Sequence, residues 1–128
     1  MKAEVSKGIE ELKHQFNSSA FTVAEDNQGG AYVIIERVSL GPRYAPDHTW
    51  LGFQIPALYP YADIYPTFIG ADVRRVDGVA FRPPVTPEHS FQGRPAIQIS
   101  RRNGAAQTAS QKVTAKILKI LDFLEKLP

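Results

Sequence analysis

The sequence predicts an α+β fold in which a helix at each end of the chain accompanies an antiparallel sheet. Three observations support this prediction. Apolar residues recur at helical spacing near both termini, apolar and polar residues alternate in short segments between them, and prolines crowd the segments that separate those strands. With 128 residues, of which 43% are hydrophobic, the chain has the length and apolar content of one domain, and we predict a single domain over residues 1–128.

The N-terminal helix is predicted from one apolar stripe. Four apolar side chains recur at the spacing i, i+4, i+7 and i+11, namely Val5, Ile9, Leu12 and Phe16. This spacing places them on one side of a helix that runs from about Ala3 to Phe16. The glutamates and lysines between them are expected to face water.

The C-terminal helix is predicted from a second stripe, which runs to Pro128. Its apolar members are Val113, Ile117, Ile120, Leu121, Leu124 and Leu127. The segment Thr108-Ala109-Ser110-Gln111 has the spacing of a capping box and predicts where the helix begins. Four lysines are expected on the outer face of this helix: Lys112, Lys116, Lys119 and Lys126.

Four strands in an antiparallel meander are predicted between the helices. The first two flank a polar turn at residues 25–30 and form a hairpin over residues 21–38. The third holds Trp50, Phe53 and Ile55 before Pro56, and the fourth is the short segment Thr67-Phe68-Ile69. Beyond them, residues 70–107 contain four prolines and four glycines without a helical period. We predict a long, proline-rich irregular segment there, and a loop region of that length usually carries function.

The chain has no cysteine, which excludes disulfides, thiolate metal sites and thiol nucleophiles on this polypeptide. His14, His48 and His89 lack the spacing and carboxylate neighbours of a metal site, so we expect neither a metal nor a cofactor. The sequence also lacks the Gly-x-Ser-x-Gly motif of a serine esterase. Esterase, metalloenzyme and thiol-enzyme classes are therefore set aside.

Charge and hydropathy predict a cytoplasmic protein that does not enter a membrane. No apolar stretch approaches the roughly 20 residues that a spanning helix needs, and the N-terminus has no apolar signal core. Residues 1–69 carry a net charge of −3 and residues 70–128 a net charge of +5. Arginines interspersed with Phe81 and Phe91 could contact single-stranded nucleic acid, but the aromatics are few and the basic excess is modest, so the sequence disfavours this partner.

Two groups of residues resemble a known family. The run Trp50-Leu51-Gly52-Phe53-Gln54-Ile55-Pro56, followed by Tyr59-Pro60 and Pro66-Thr67-Phe68-Ile69, resembles the ubiquitin-conjugating enzyme fold. The segment Phe91-Gln92-Gly93-Arg94, with Gln98-x-Ser100-Arg101, is similar to the prokaryotic ubiquitin-conjugating-like family E. The resemblance covers most of the chain, from about Phe21 to the final helix. It implies a role in a bacterial conjugation pathway, with a ubiquitin-like protein and its activating enzyme as partners.

The same resemblance implies where a nucleophile is missing. In conjugating enzymes of this fold the catalytic cysteine lies three residues after a glycine, on a loop that follows the fourth strand, and a His-Pro-Asn asparagine stabilises the oxyanion. Gly93 puts Ala96 at the cysteine position, and no His-Pro-Asn segment is present. The resemblance therefore excludes thioester transfer by the usual route and leaves open whether the chain is an enzyme.

Two interpretations follow from the resemblance. In the first, the chain is a binding module for the ubiquitin-like protein, its activating enzyme or both. In the second, a hydroxyl of Ser100, Ser90 or Thr86 carries the ubiquitin-like protein as an oxyester. Because a hydroxyl needs a base and the oxyanion needs donors, the second interpretation assigns His89 as base. Its candidate donors to the oxyanion or to a C-terminal carboxylate are Gln98, Arg94, Arg101 and Arg102.

Four of these side chains also have a structural interpretation. Ser100 could bond loop backbone, and Gln98, between Ile97 and Ile99, could be the outward residue of a short strand. Arg101 and Arg102 could pair with Asp72 or Asp77.

Overall fold

The computed structural model describes residues 1–102 and 112–128. Within these residues two helices, α1 (Ala3–Gln15) and α2 (Val113–Glu125), enclose eight strands. In chain order the strands are β1 (Phe21–Glu25), β2 (Ala31–Ser39), β3 (Tyr44–Ala45), β4 (His48–Ile55), β5 (Thr67–Gly70), β6 (Arg74–Arg75), β7 (Val85–Phe91) and β8 (Arg94–Ile99). Six of them form one antiparallel sheet in the order β1-β2-β4-β5-β8-β7, and β3 pairs with β6 in a short ribbon. The predicted α+β class, with a helix at each end, is confirmed.

The predicted four-strand meander is confirmed as β1, β2, β4 and β5. The β1–β2 hairpin pairs Phe21 with Ile35 and Glu25 with Ala31. Its turn is closed by Asp26, whose carboxylate accepts hydrogen bonds from the backbone N–H groups of Gln28 at 2.8 Å and Gly30 at 2.9 Å. These bonds, led by the one from Gln28, lower the pKa of the Asp26 carboxyl.

The prediction of a long irregular segment is wrong for residues 85–99, because β7 and β8 form a hairpin there. β8 pairs with β5 on one side and with β7 on the other, so the hairpin extends the sheet to six strands and leaves β7 at its edge. Gln92 and Gly93 both have positive φ, 49° and 78°, as a two-residue hairpin turn requires. Pro87 lies where the β7–β8 register shifts, so a proline that suggests a loop is accommodated at an irregularity of the ladder.

The main core lies between one face of the sheet and both helices. α1 contributes Val5, Ile9 and Leu12, and α2 contributes Ile117, Ile120 and Leu124. The facing strand residues are Val33, Ile35, Leu51, Phe53, Ile55, Ile69, Ile97 and Ile99. These side chains are almost fully buried, which explains why the two apolar stripes predict the helices correctly.

Lys116 departs from the prediction that it lies on the water-facing side of α2. Its side chain is only 4% exposed, and its ammonium group lies 3.1 Å from the Asp63 carboxylate. It also donates a hydrogen bond to the backbone carbonyl of Arg101 at 2.7 Å. The physical reason is helical spacing: position 116 lies three residues after Val113 and four before Ile120, inside the apolar stripe.

The start of α2 is held by a tyrosine from the proline-rich segment. The backbone N–H of Val113 donates to the Tyr59 hydroxyl at 2.9 Å, and the Tyr59 ring is buried. Burial raises the pKa of this hydroxyl. The predicted capping box at residues 108–111 lies outside the described residues. None of the helices in the described part of the chain has the length and apolar content needed to cross a membrane.

The end of α2 is held by two residues at the start of the β3–β6 ribbon. The Arg43 guanidinium donates to the carbonyls of Glu125, at 2.6 Å, and Leu127. The buried Tyr44 hydroxyl donates to the carbonyl of Leu124. The last carbonyls of a helix lack the usual donor four residues further on, so Tyr44 and Arg43 supply side-chain donors to Leu124 and Glu125. Through Leu127, Arg43 also holds the residues that follow the helix.

We expect the substitution Tyr44→Phe to lower the free energy of unfolding by about 1–3 kcal/mol, because it leaves the Leu124 carbonyl without its buried donor. Urea denaturation followed by circular dichroism measures this change. The control is Arg74→Ala, which truncates an exposed side chain of the same ribbon. Equal unfolding midpoints for wild type and Tyr44→Phe would contradict this role of Tyr44.

Candidate functional site

The candidate site is the face of the sheet that points away from both helices, which we call the open face. Side chains alternate along a strand, and residues opposite each other on neighbouring strands point to the same face. The strand registers therefore assign to the open face Thr22, Ala24, Tyr32, Ile34, Glu36, Trp50, Gly52, Gln54, Phe68, Thr86, His89, Phe91, Arg94, Ala96 and Gln98.

The centre of the open face is an aromatic cluster around Phe91. The Phe91 ring stacks on Phe68 with ring centroids 4.9 Å apart and on Trp50 at 6.3 Å, and it meets the edge of Tyr32 at 6.2 Å. Phe91 is buried, whereas the three surrounding rings are partly exposed. The cluster is thus a small second core with an aromatic rim open to solvent.

Gly52 makes this arrangement possible. A Cβ atom at position 52 would lie 2.6 Å from two ring carbons of Phe91, closer than real Cβ contacts come. Because Gly52 of β4 has no side chain, the Phe91 ring can lie over this position of the sheet. Phe91 itself belongs to the edge strand β7. The cluster therefore joins two strands that are not neighbours.

A charged pair borders the aromatic cluster. The Arg94 guanidinium donates two hydrogen bonds to the Glu36 carboxylate, at 2.8 and 2.9 Å, and lies 5.4 Å from the centre of the Trp50 ring. Thr22 donates to the same carboxylate. The hydrogen bonds from Arg94 lower the pKa of the Glu36 carboxyl, so Glu36 is charged at neutral pH. Arg94, predicted as a binding residue, is held in place by this pair.

A row of polar side chains occupies the β7 edge of the open face. The Thr86 hydroxyl lies 3.0 Å from the His89 Nε2 atom, and the Gln98 amide donates to the Ser100 hydroxyl at 2.7 Å. Thr86 and Gln98 are opposite each other in the β7–β8 ladder. A hydroxyl within hydrogen-bond reach of an imidazole is the arrangement that activates an oxygen nucleophile. Gln98 points outward from a strand, as its structural interpretation predicts.

Ala96, the residue at the expected cysteine position, lies inside the sheet. It is fully buried in β8, opposite Gly70 of β5 and His89 of β7, and packs with Ile34 and Phe91. The resemblance implies a loop at this point, and the structure has a strand paired on both sides. A side chain at position 96 is therefore out of reach of a partner protein.

Three of the predicted site residues lie away from the open face. Ser90 is opposite Pro95 and alternates with His89 and Phe91, so it points to the other side of β7. The Arg101 guanidinium lies over the Phe123 ring at 4.4 Å, and that of Arg102 over the Tyr65 ring at 3.9 Å.

The suggested pairing of these two arginines with Asp72 or Asp77 does not occur among the described residues. Asp77 instead accepts two hydrogen bonds from Arg75, at 3.1 and 2.7 Å, and these lower the pKa of its carboxyl.

The structure thus brings His89, Gln98, Ser100, Arg94 and Ala96 to one side of the sheet. Sequence reasoning missed the aromatic rim formed by Tyr32, Trp50 and Phe68. Its signal is present in β2, where apolar residues occupy both faces of the strand, as Val33, Ile34 and Ile35 show. Such a pattern indicates that the second face also carries a packed cluster.

Comparison of the chain with protein-family models, with curated proteins and with solved structures finds no match. In the described ranges, 1–102 and 112–128, no group of three or more His, Asp or Glu side chains could hold a metal ion.

We expect Arg94→Ala to raise the pKa of Glu36 toward the ordinary range of a glutamate, because it removes both hydrogen bonds to the carboxylate. A carboxyl with a lowered pKa stabilises the fold above its unfolded pKa, and this contribution is lost as the pH falls through the folded value. The variant should therefore be less stable at neutral pH, by about 1 kcal/mol or less for a partly exposed pair, and the difference should shrink in acid.

An NMR pH titration of the Glu36 side-chain carboxyl measures the pKa shift, and thermal unfolding at pH 7 and pH 3 measures the stability difference. The control is Arg82→Ala, an exposed arginine before β7. An unchanged Glu36 titration in Arg94→Ala would contradict the assigned pair.

Proposed function

We propose that this protein is a ubiquitin-conjugating-enzyme-like component of a bacterial ubiquitin-like conjugation pathway, and that it binds the ubiquitin-like protein through the open face without forming a thioester. The observation that carries the proposal is the partly exposed aromatic rim at the centre of a sheet face that no helix of the described residues covers. The pathway and the partner come from the family resemblance. The same proposal implies a cytoplasmic location and leaves the activating enzyme as a second partner.

The chemistry of the open face suits protein binding. Tyrosine, tryptophan and arginine are the residue types that contribute most often to the binding energy of interfaces. Here Tyr32, Trp50 and Arg94 lie within one patch on rigid strands, and their side chains are held by ring contacts and by the pair with Glu36. Because these side chains are ordered before binding, less conformational entropy is lost when a partner docks.

A groove beside the rim gives this surface its shape. It has a volume of about 190 Å³ and is lined by Thr22, Ala24, Tyr32, Ile34, Gln92 and Arg94. The groove runs between the rim and β1, an edge strand of the sheet. An apolar side chain of the partner can enter it beside the Tyr32 ring, while Arg94 and Glu36 supply polar contacts at its margin.

The absence of cysteine supports a non-covalent role. The chain has no thiol, and Ala96 is buried between two strands. The chain therefore lacks the cysteine nucleophile of the family that it resembles, and the residue at the corresponding position is inaccessible.

We expect Tyr32→Ser to weaken binding of the ubiquitin-like protein by about tenfold, as truncation of an aromatic anchor does. Tyr61→Ser is the matched control, because Tyr61 is 59% exposed and lies outside the open face. Titration calorimetry with the purified ubiquitin-like protein of the same pathway measures both affinities. Thermal unfolding of each variant verifies that the fold is intact.

A second pair of variants tests the same surface without removing a packed ring. Ala24→Glu places a charge at the margin of the groove, and Ala80→Glu places the same charge on an exposed position away from it. Only Ala24→Glu should weaken binding. Equal effects within each matched pair, or no binding by wild type, would overturn the proposed interface.

A specific observation favours the oxyester carrier as a second candidate function. The Thr86 hydroxyl lies 3.0 Å from His89 Nε2, and the Gln98 amide and the Ser100 hydroxyl lie beside them on the open face. In this step the hydroxyl oxygen attacks the carbonyl carbon of the ubiquitin-like C-terminus, which the activating enzyme presents as a thioester. The imidazole accepts the hydroxyl proton, and an ester bond forms as the C–S bond of the thioester breaks. The imidazolium then returns the proton to the departing thiolate of the activating enzyme.

The carrier hypothesis predicts an adduct that mild hydroxylamine removes and that Thr86→Val abolishes, because the imidazole then has no hydroxyl to activate. Ser100→Ala removes the second hydroxyl of the row, and Ser90→Ala is the control, since Ser90 points to the other side of β7. Intact mass is recorded after incubation with ATP, the activating enzyme and the ubiquitin-like protein. An adduct that persists in Thr86→Val would refute Thr86 as the carrier residue. An adduct that persists in both Thr86→Val and Ser100→Ala, or no adduct in wild type, would refute the carrier function.

A further inference from the structure

A cationic cleft lies between the residues that follow β8 and the outer side of α2. It has a volume of about 360 Å³, and its polar lining consists of Arg101, Arg102, Lys116, Lys119 and Asp122, with the Phe123 ring on one wall. α2 packs on the helix-bearing face of the sheet, so this cleft is separate from the open face.

The charges in the cleft do not balance. Lys116 is paired with Asp63 at 3.1 Å, and Asp122 is paired with Lys126 at 3.0 Å. Over residues 1–102 and 112–128 no carboxylate forms an ion pair with Arg101, Arg102 or Lys119. Three cations therefore line the cleft without an ion-pair partner in the described part of the chain, against one carboxylate in the lining, that of Asp122.

The two guanidinium groups are held in place by aromatic rings. Arg101 lies over Phe123 at 4.4 Å and Arg102 over Tyr65 at 3.9 Å, measured from each Cζ atom to the ring centre. A guanidinium that stacks through its plane keeps the N–H groups at its edge available to an oxyanion.

Lys116 fixes the backbone between these groups and the helix. Its ammonium group, on a side chain that is 4% exposed, donates to the Arg101 carbonyl at 2.7 Å. Lys116 thus holds the Arg101 backbone against α2, and the two rings hold the guanidinium groups. The hydrogen-bond donors of the cleft are therefore ordered before a ligand arrives.

We propose that this cleft binds the phosphate groups of a small anionic molecule, a mono- or diphosphate. Three cations in one cleft match a ligand with two or more negative charges better than a single carboxylate. Forked arginine donors bind phosphate oxygens in pairs. The three cations line one cleft, so the geometry favours a compact phosphate group over the backbone of a nucleic acid.

The probes are inorganic phosphate and pyrophosphate, titrated calorimetrically into the full chain at low ionic strength. Arg101→Ala/Arg102→Ala should weaken pyrophosphate binding at least about tenfold, as expected for the loss of hydrogen bonds from charged groups. The matched control is Arg74→Ala/Arg82→Ala, which removes the same charge from two exposed arginines outside the cleft and should change affinity less than about threefold by long-range screening alone.

Lys119→Gln serves as a second variant, because Lys119 is exposed and its substitution leaves the core untouched. It should weaken pyrophosphate binding even if the double arginine variant fails to fold. No binding of pyrophosphate by wild type, equal losses in the cleft and control variants, or binding of a single-stranded oligonucleotide that pyrophosphate does not displace would overturn the proposal. The assay contains no ubiquitin-like protein, so its outcome is independent of the proposed function.

Discussion

The pairing of β8 with β5 is the interaction on which the rest of the structure depends. It places Ile99 opposite Thr67 and Ala96 opposite Gly70, and so attaches the β7–β8 hairpin to the meander. Without it, Phe91 could not lie across Gly52, and Arg94 could not reach Glu36, a residue 58 positions earlier in the chain. The paired strand β8 ends at Ile99, two residues before Arg101. The Arg101 carbonyl accepts a hydrogen bond from Lys116 of α2. Both faces of the sheet are therefore organised by one pair of strands.

Local signals were sufficient for the parts of the fold in which neighbouring residues determine the structure. The stripe at Val5, Ile9 and Leu12 and the polar turn closed by Asp26 correctly predict α1 and the first hairpin. The β7–β8 hairpin was missed because Pro87 and Pro95 suggest a loop, and because a Gln-Gly turn is a weaker signal than Asn-Gly. Its stability comes from pairing with β5, a long-range contact that no sequence window contains. Lys116 was misplaced for a different reason: its charge was given more weight than its position in the stripe.

The sequence was sufficient to predict several residues of the candidate site, but only part of their arrangement in space. His89, Gln98, Ser100 and Arg94 share one side of the sheet because strand alternation and the bulge near Pro87 turn them the same way. Alternation along β7 points Ser90 to the other side of the strand from His89, although the two are adjacent in sequence. Arg101 and Arg102 lie past the end of β8, where rings from Phe123 and Tyr65 hold them. The spacing from Gly93 puts Ala96 at the expected cysteine position, but Ala96 is buried in the sheet and cannot meet a partner. Spacing alone does not distinguish a loop from a strand.

The proposed function, recognition of a partner protein without thioester chemistry, rests on the ring-lined face of the sheet and on the burial of Ala96. The measurement that tests this most directly is an NMR titration of the isotope-labelled chain with the unlabelled ubiquitin-like protein. Binding through the open face predicts that the largest chemical-shift changes fall on the Trp50 indole N–H and on the backbone of Tyr32 and Phe68, with the helices unaffected. Changes confined to α1 and α2, with the Trp50 indole signal unmoved, would contradict it.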